Sequence, residues 1–221
     1  MDSVLYPLQK QILELLFQDP EFAGDFFLSG GCALSWGYLG HRRSEDLDFF
    51  SRGEPDLEQL DKKLERILSP HGMELKRLMT GPTFRRYQVS GPTESTLLDL
   101  VTQDPAKVAE PHLKGEIRLD SLVDIAVNKV MALEREEIKD SVDLYLLLKE
   151  QNFDIFDLME KAKKKTMNAE SPGYPNHVAR LLMSAGKLPN FNKLRLLKPV
   201  DQKEMIEFLK GQAGLIYEQY R

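Results

Sequence analysis

Apolar positions along the chain keep two rhythms, one of three or four residues and one of two. Leu5, Leu8, Ile12, Leu15 and Leu16 follow the first and predict an opening amphipathic helix, with Pro7 tolerable in its first turn. Asp25-Phe26-Phe27-Leu28 reads as a short buried strand running into a Ser29-Gly30-Gly31 turn. Asp46-Leu47-Asp48-Phe49-Phe50 has the two-residue rhythm: a strand here points both carboxylates to one side and Leu47 and Phe49 to the other. Leu57, Leu60, Leu64, Ile67 and Leu68 restore the helical spacing, which stops at Ser69-Pro70. Three strand-like segments, 73–79, 84–90 and 95–101, are separated by Gly-Pro pairs at 81–82 and 91–92 and predict a meander.

Beyond a loop containing Pro105 and Pro111 the pattern turns helical. Ser121-Leu122-Val123-Asp124 reads as a capping box opening a helix, and further helices are expected over 155–167, 177–185 and 205–217. The expected class is therefore α/β (α+β): a mixed β-sheet flanked by helices over residues 1–115, then a helical domain over 116–221. A chain of 221 residues can bury a real core.

Composition narrows the class of function. No run of eighteen apolar residues and no basic-then-apolar leader is present, so a cytoplasmic protein without membrane contact is expected. The single cysteine, Cys32, excludes an internal disulfide and a cysteine-rich zinc site. Beside the glycine turn it is expected to be a small buried filler, with a reactive thiol as the alternative. The net charge of −5 hides an asymmetry, −12 over residues 1–160 against +7 over residues 161–221. A basic carboxyl part suits an anionic partner, and equally a solvated helical face. Its cluster comprises Lys161, Lys163, Lys164, Lys165, Lys193, Arg195 and Lys198.

Candidate chemistry gathers at 28–50. Asp46 and Asp48 side by side on a strand repel each other unless a cation bridges them, and hard oxygen ligands suit Mg²⁺ or Mn²⁺. A Ser29-Gly30-Gly31 turn lets backbone N–H groups approach a phosphate. A phosphate cradle beside metal carboxylates is what phosphoryl transfer requires. Asp99 sits inside the apolar run Leu97–Val101, where a buried carboxylate pairs or binds metal. On an uninterrupted helix, positions 136, 140 and 143 fall within about 40° of position 129, aligning Lys129 with Asp140 and Asp143. Such charges also form ordinary surface i,i+4 pairs.

The order of these features resembles the nucleotidyltransferase superfamily, whose first motif is a strand, a GG or GS turn, a short helix, then DxD on the next strand. Leu28-Ser29-Gly30-Gly31 and Gly40-His41-Arg42-Arg43-Ser44-Glu45-Asp46-Leu47-Asp48-Phe49 are similar to the AbiEii/AbiGii-type toxin branch. Lys129, Ala132-Leu133, Arg135, Lys139-Asp140 and Asp143-Leu144-Tyr145 match its second block. The resemblance covers residues 25–148. It implies that Asp46, Asp48 and Asp99 ligate metal, and that Ser29, Gly30, Gly31, Arg42, Ser44 and Lys129 bind the NTP triphosphate. Asp140 orients Lys129 or the nucleotide, Arg43 is variable in the pattern, and His41 is a structural hydrogen bonder. Cys32 departs from the family, which more often has a hydroxyl there. The implied activity is Mg²⁺- or Mn²⁺-dependent transfer of an NMP from an NTP to RNA (tRNA) or protein by a toxin, or phage-defence protein, held by a cognate antitoxin. Two alternatives stand beside it: the same chemistry on a small, antibiotic-type molecule, and a catalytically silent nucleotide- or partner-binding module.

Overall fold

Period-two segments become strands β1 (Phe26–Ser29), β2 (Asp46–Ser51), β3 (Glu74–Thr80), β4 (Phe84–Ser90), β5 (Ser95–Val101), β6 (His112–Lys114) and β7 (Ile117–Leu119). They hydrogen-bond in the order β3-β4-β5-β2-β1-β7-β6. β2 runs parallel to β5, and β1 parallel to β7; the other neighbours are antiparallel. The sheet is mixed, and β3-β4-β5 is the expected meander. The structure, a computed structural model, describes residues 4–51, 53, 55–102 and 106–221; Pro105 and the side chain of Leu57 lie outside the described residues.

The chain divides into two compact units. The first comprises residues 1–105 and 110–121, the second residues 106–109 and 122–221. Besides the sheet, the first holds α1 (Pro7–Gln18), α2 (Pro20–Asp25), α3 (Gly30–Cys32) and α4 (Leu57–Leu68). One face of the sheet is core: Leu47 and Phe49 of β2 pair in register with Leu98 and Leu100 of β5, and all four are fully buried. Each such side chain contributes roughly 1.5–3 kcal/mol. Phe22 stacks on Phe26 at 4.7 Å between ring centroids and meets Phe49 edge-on at 5.3 Å. On α1 the buried positions are Leu8, Ile12, Leu13, Leu16 and Phe17, while Leu15 is half-buried. Leu13 replaces Leu15 in the expected stripe because α2 and the strands cover a wider arc than one seam.

The second unit is helical in its regular structure: α5 (Leu122–Ala132), α6 (Ile138–Glu150), α7 (Ile155–Ala162), α8 (Tyr174–Ser184) and α9 (Gln202–Gln219). The helix expected to run unbroken through 124–145 is interrupted. A 3-10 turn at Leu133–Arg135 ends α5, Glu136 takes a left-handed conformation at φ 52°, and α6 begins at Ile138. Asp154 and Asp201 cap α7 and α9, each accepting two backbone N–H groups. Among the described residues no helix is long and apolar enough to cross a membrane.

Candidate active site

β1 ends in Ser29, and the chain turns at once into α3 followed by a π-helical stretch, Ala33–Leu39, closed by Gly40 in the left-handed conformation. Gly30 lies at φ +65°, where a side chain is strained. Space forbids one too: a Cβ there would sit 2.7 Å from the carboxyl carbon of Asp48, and closer still to its Oδ2. A Cβ on Gly31 would meet Arg42 Nη2 at 2.5 Å and Ser44 Oγ at 3.0 Å. The two glycines thus let the Asp48 carboxylate and the Arg42 guanidinium lie against bare backbone.

Strand register supplies the rest. Asp48 of β2 pairs with Ser29 of β1 on one side and with Asp99 of β5 on the other, and Asp99 pairs with Arg86 of β4. Ser29, Asp48, Asp99 and Arg86 therefore form one row across four strands, on the face opposite Leu47, Phe49 and Leu98. Asp46 lies two residues along β2 on the same face. Asp46 and Asp48 are half-buried, whereas Asp99 is 6% exposed. Negative charges gathered on one sheet face call for a cation beside them.

Arg86 is such a cation. Its Nε donates to Asp99 Oδ1 at 2.8 Å and its Nη2 to Asp99 Oδ2 at 2.6 Å, a two-point fork. The bond to Asp99 drives the guanidinium further toward its protonated form, with Asp46 and Asp48 adding to the effect. Asp99 accordingly points to Arg86, and among the described residues no three His, Cys, Asp or Glu side chains are gathered as a metal cluster. The three carboxylates expected to hold metal share one face of the sheet, Asp48 beside Asp99 in register, and Asp99 is forked by Arg86. The donor set at Asp46 and Asp48 fits Mg²⁺, which is ordinarily held by one or two carboxylates, water and substrate phosphate.

Other expected phosphate contacts are partly engaged within the protein. Ser29 Oγ donates to Asp120 Oδ2 at 2.7 Å, so of the Ser29-Gly30-Gly31 turn the serine side chain is engaged within the protein. Arg42 is buried and donates to the Arg43 carbonyl at 3.1 Å, while Arg43 lies 4.8 Å over the Tyr6 ring. His41 is fully buried with Nδ1 3.4 Å from Ser35 Oγ, a structural position. Burial above all, and then the charge of Asp48, pushes the Cys32 thiol far up, so it is a filler and not a nucleophile. Tyr38, pushed up to about 12 by burial and by Asp120, donates its hydroxyl to the Asp120 carbonyl at 2.6 Å.

In the second unit, Lys129 Nζ lies 2.6 Å from Asp140 Oδ1 and 2.7 Å from Asp143 Oδ2, and both carboxylates are wholly buried. The helix break does not separate them, because α5 and α6 pack together and carry the lysine to the acids. The ammonium expected on a triphosphate is thus held by two carboxylates. The basic cluster is also partly neutralised. Lys161, Lys163 and Lys198 pair with Asp157, Glu160 and Glu150, and Lys165 is buried 2.6 Å from Asp124 Oδ1. Lys164, Lys193 and Arg195 are exposed.

Sequence reasoning missed Arg86, Gln9 and Asp120. Arg86 had a signal: pairing outward from the turn at 91–94, Ser90 opposite Ser95, brings Arg86 opposite Asp99. Gln9 donates to the Ser44 carbonyl at 2.9 Å, and Thr96 Oγ1 to the Glu45 carbonyl at 2.7 Å, which anchors the elbow before β2. These two contacts, like Asp120 beside Ser29, join segments distant in sequence and have no local signal.

A family model described as "Nucleotidyl transferase AbiEii toxin, Type IV TA system" matches residues 11–213. An uncharacterized protein of Aquifex aeolicus (strain VF5), aq_aa25, is 32% identical over 155 residues, spanning 66% of this chain and 68% of that protein. The fold is shared with a Helicobacter pylori crystal structure described as a candidate nucleotidyltransferase, with a TM-score of 0.61 at 23% identity over 96% of this chain and 93% of that one. JHP933 from Helicobacter pylori gives 0.60 at 23% identity, over 96% and 90%.

Proposed function

This chain belongs to the AbiEii nucleotidyl transferase toxin family of type IV toxin–antitoxin systems, and on that premise we propose that it moves the NMP of an NTP onto an RNA acceptor, tRNA foremost, using Mg²⁺ or Mn²⁺. The observation that carries the reading is the register of Asp48 with Asp99 beside Asp46, on the sheet face reached by the Gly30-Gly31 turn. Asp46 and Asp48 hold the ion, which when bound supplies positive charge to the phosphate oxygens. The bare backbone at Gly30 and Gly31 admits the triphosphate, and Arg42 and Ser44 border that backbone. An acceptor hydroxyl attacks the α-phosphorus, its proton passes to solvent, and pyrophosphate leaves; Asp99, beside Asp48 in the row, would complete the ion's carboxylates once Arg86 gives it up. Exposed Lys164, Lys193 and Arg195 favour an anionic acceptor, and the family's type IV systems supply a cognate antitoxin as partner.

The test incubates purified protein with each α-labelled NTP, Mg²⁺, total tRNA and cell lysate. Label in tRNA, abolished in Asp46→Asn and Asp48→Asn variants that keep their circular dichroism, supports the proposal. Label in protein moves the acceptor to a polypeptide. Transfer at wild-type rate by either variant at limiting Mg²⁺ would refute the metal assignment.

A further inference from the structure

Arg86 stands where a second cation of the site belongs. Its guanidinium takes up both oxygens of Asp99 at 2.8 and 2.6 Å, on the strand next to β5, in the row that continues to Asp48. The Asp99 side chain is 8% exposed and that of Arg86 35% exposed, so the acid is fixed and the base has room to leave. The Arg86 head also lies 5.8 Å from the Phe84 ring on its own strand, an apolar surface against which an arginine stem can rest.

Resting on the metal reading above, we propose that Arg86 is a positioning residue that competes with the divalent ion for Asp99. In the resting protein the guanidinium neutralises Asp99 and leaves a two-carboxylate site at Asp46 and Asp48. Asp99 joins that site only when Arg86 gives way, on arrival of the metal-bound triphosphate, whose oxygens match the same fork. A single charge balance then serves both states: the acids are never left without a cation, and full metal affinity waits for substrate. Arg86 acts through Asp99, and its removal strengthens the binding of metal alone.

Isothermal titration with Mn²⁺ in the absence of nucleotide tests this without reference to activity. Arg86→Ala is expected to bind Mn²⁺ about tenfold more tightly than wild type, because Asp99, released from the guanidinium, then adds a third charged oxygen ligand to the site. Arg86→Lys, which keeps the charge but not the fork, is expected to fall between the two and guards against a poorly folded alanine variant. The gain should be several times smaller when the same change is made in an Asp99→Asn background. Equal gains in both backgrounds would mean bare repulsion through space and overturn the competition, as would unchanged or weaker binding by Arg86→Ala. Should wild type and Asp46→Asn bind Mn²⁺ equally poorly, the metal reading itself fails and takes the inference with it.

Discussion

Replacing Lys129 by alanine removes the cation that two buried carboxylates share. Asp140 and Asp143 are wholly inaccessible to solvent, their oxygens lie 2.6 and 2.7 Å from Nζ, and the lysine side chain is only 8% exposed. Among the described residues Asp140 Oδ2 has no hydrogen-bond partner, so little else offsets the charge on that acid. Breaking a buried pair from one side costs about 3–5 kcal/mol, because the remaining charge stays desolvated. For a unit of this size that is a fall in Tm of about 10 °C or more.

Thermal and urea unfolding followed by circular dichroism read this directly, with Lys149→Ala as the comparison. Lys149 reaches Glu204 and the Tyr145 hydroxyl at the surface, and its removal is expected to leave the transition in place. A triple variant, Lys129→Met with Asp140→Asn and Asp143→Asn, is expected to recover part of the stability, since uncompensated charge and not missing volume causes the fall. A Tm for Lys129→Ala within about 2 °C of wild type would refute the reasoning and return Lys129 to the nucleotide as a phosphate ligand.

Three further outcomes are expected. Gly30→Ala adds a Cβ where φ is +65° and the Asp48 carboxyl carbon is 2.7 Å away; it is expected to lower kcat by about a hundredfold through displacement of Asp48, with a drop of about 1–3 kcal/mol in stability by urea titration. Cys32 has its thiol pushed far above the ordinary range by burial, so the thiolate fraction at pH 8 falls; a disulfide reagent is expected to leave it untouched in the native protein and to titrate one thiol in denaturant. Reversing the exposed charges Lys164, Lys193 and Arg195 is expected to weaken tRNA binding and flatten its salt dependence, by roughly 0.7 in slope for each single-strand phosphate no longer neutralised, and tRNA affinity that is flat in salt for the wild type would remove the RNA acceptor.

Local pattern was enough for much of this. Period-two alternation in 46–50 settles which side of β2 carries carboxylates, since Leu47 and Phe49 have to be buried. Gly-Pro pairs delimit the meander, and the Gly30-Gly31 turn is legible because backbone that must approach a carboxylate this closely tolerates no Cβ. The order of glycine turn, paired aspartates, third aspartate and lysine block was sufficient to identify the family. Pairing between distant segments was not legible, for register is set by the packing of the whole sheet and not by either strand. Only the parallel alignment of β2 with β5 sets Asp48 against Asp99, whereas Arg86 opposite Asp99 follows from counting outward along the β4–β5 hairpin. In the second unit a helical projection placed Lys129 with Asp140 and Asp143 on a single rod. The ion pairs exist because the rod is broken at Leu133–Arg135 and its halves pack together, which makes a surface charge run into a buried ion cluster. Sequence determined which residues carry charge and which faces are apolar; tertiary structure decided which charges face one another, because that depends on distances between segments that no local rhythm records.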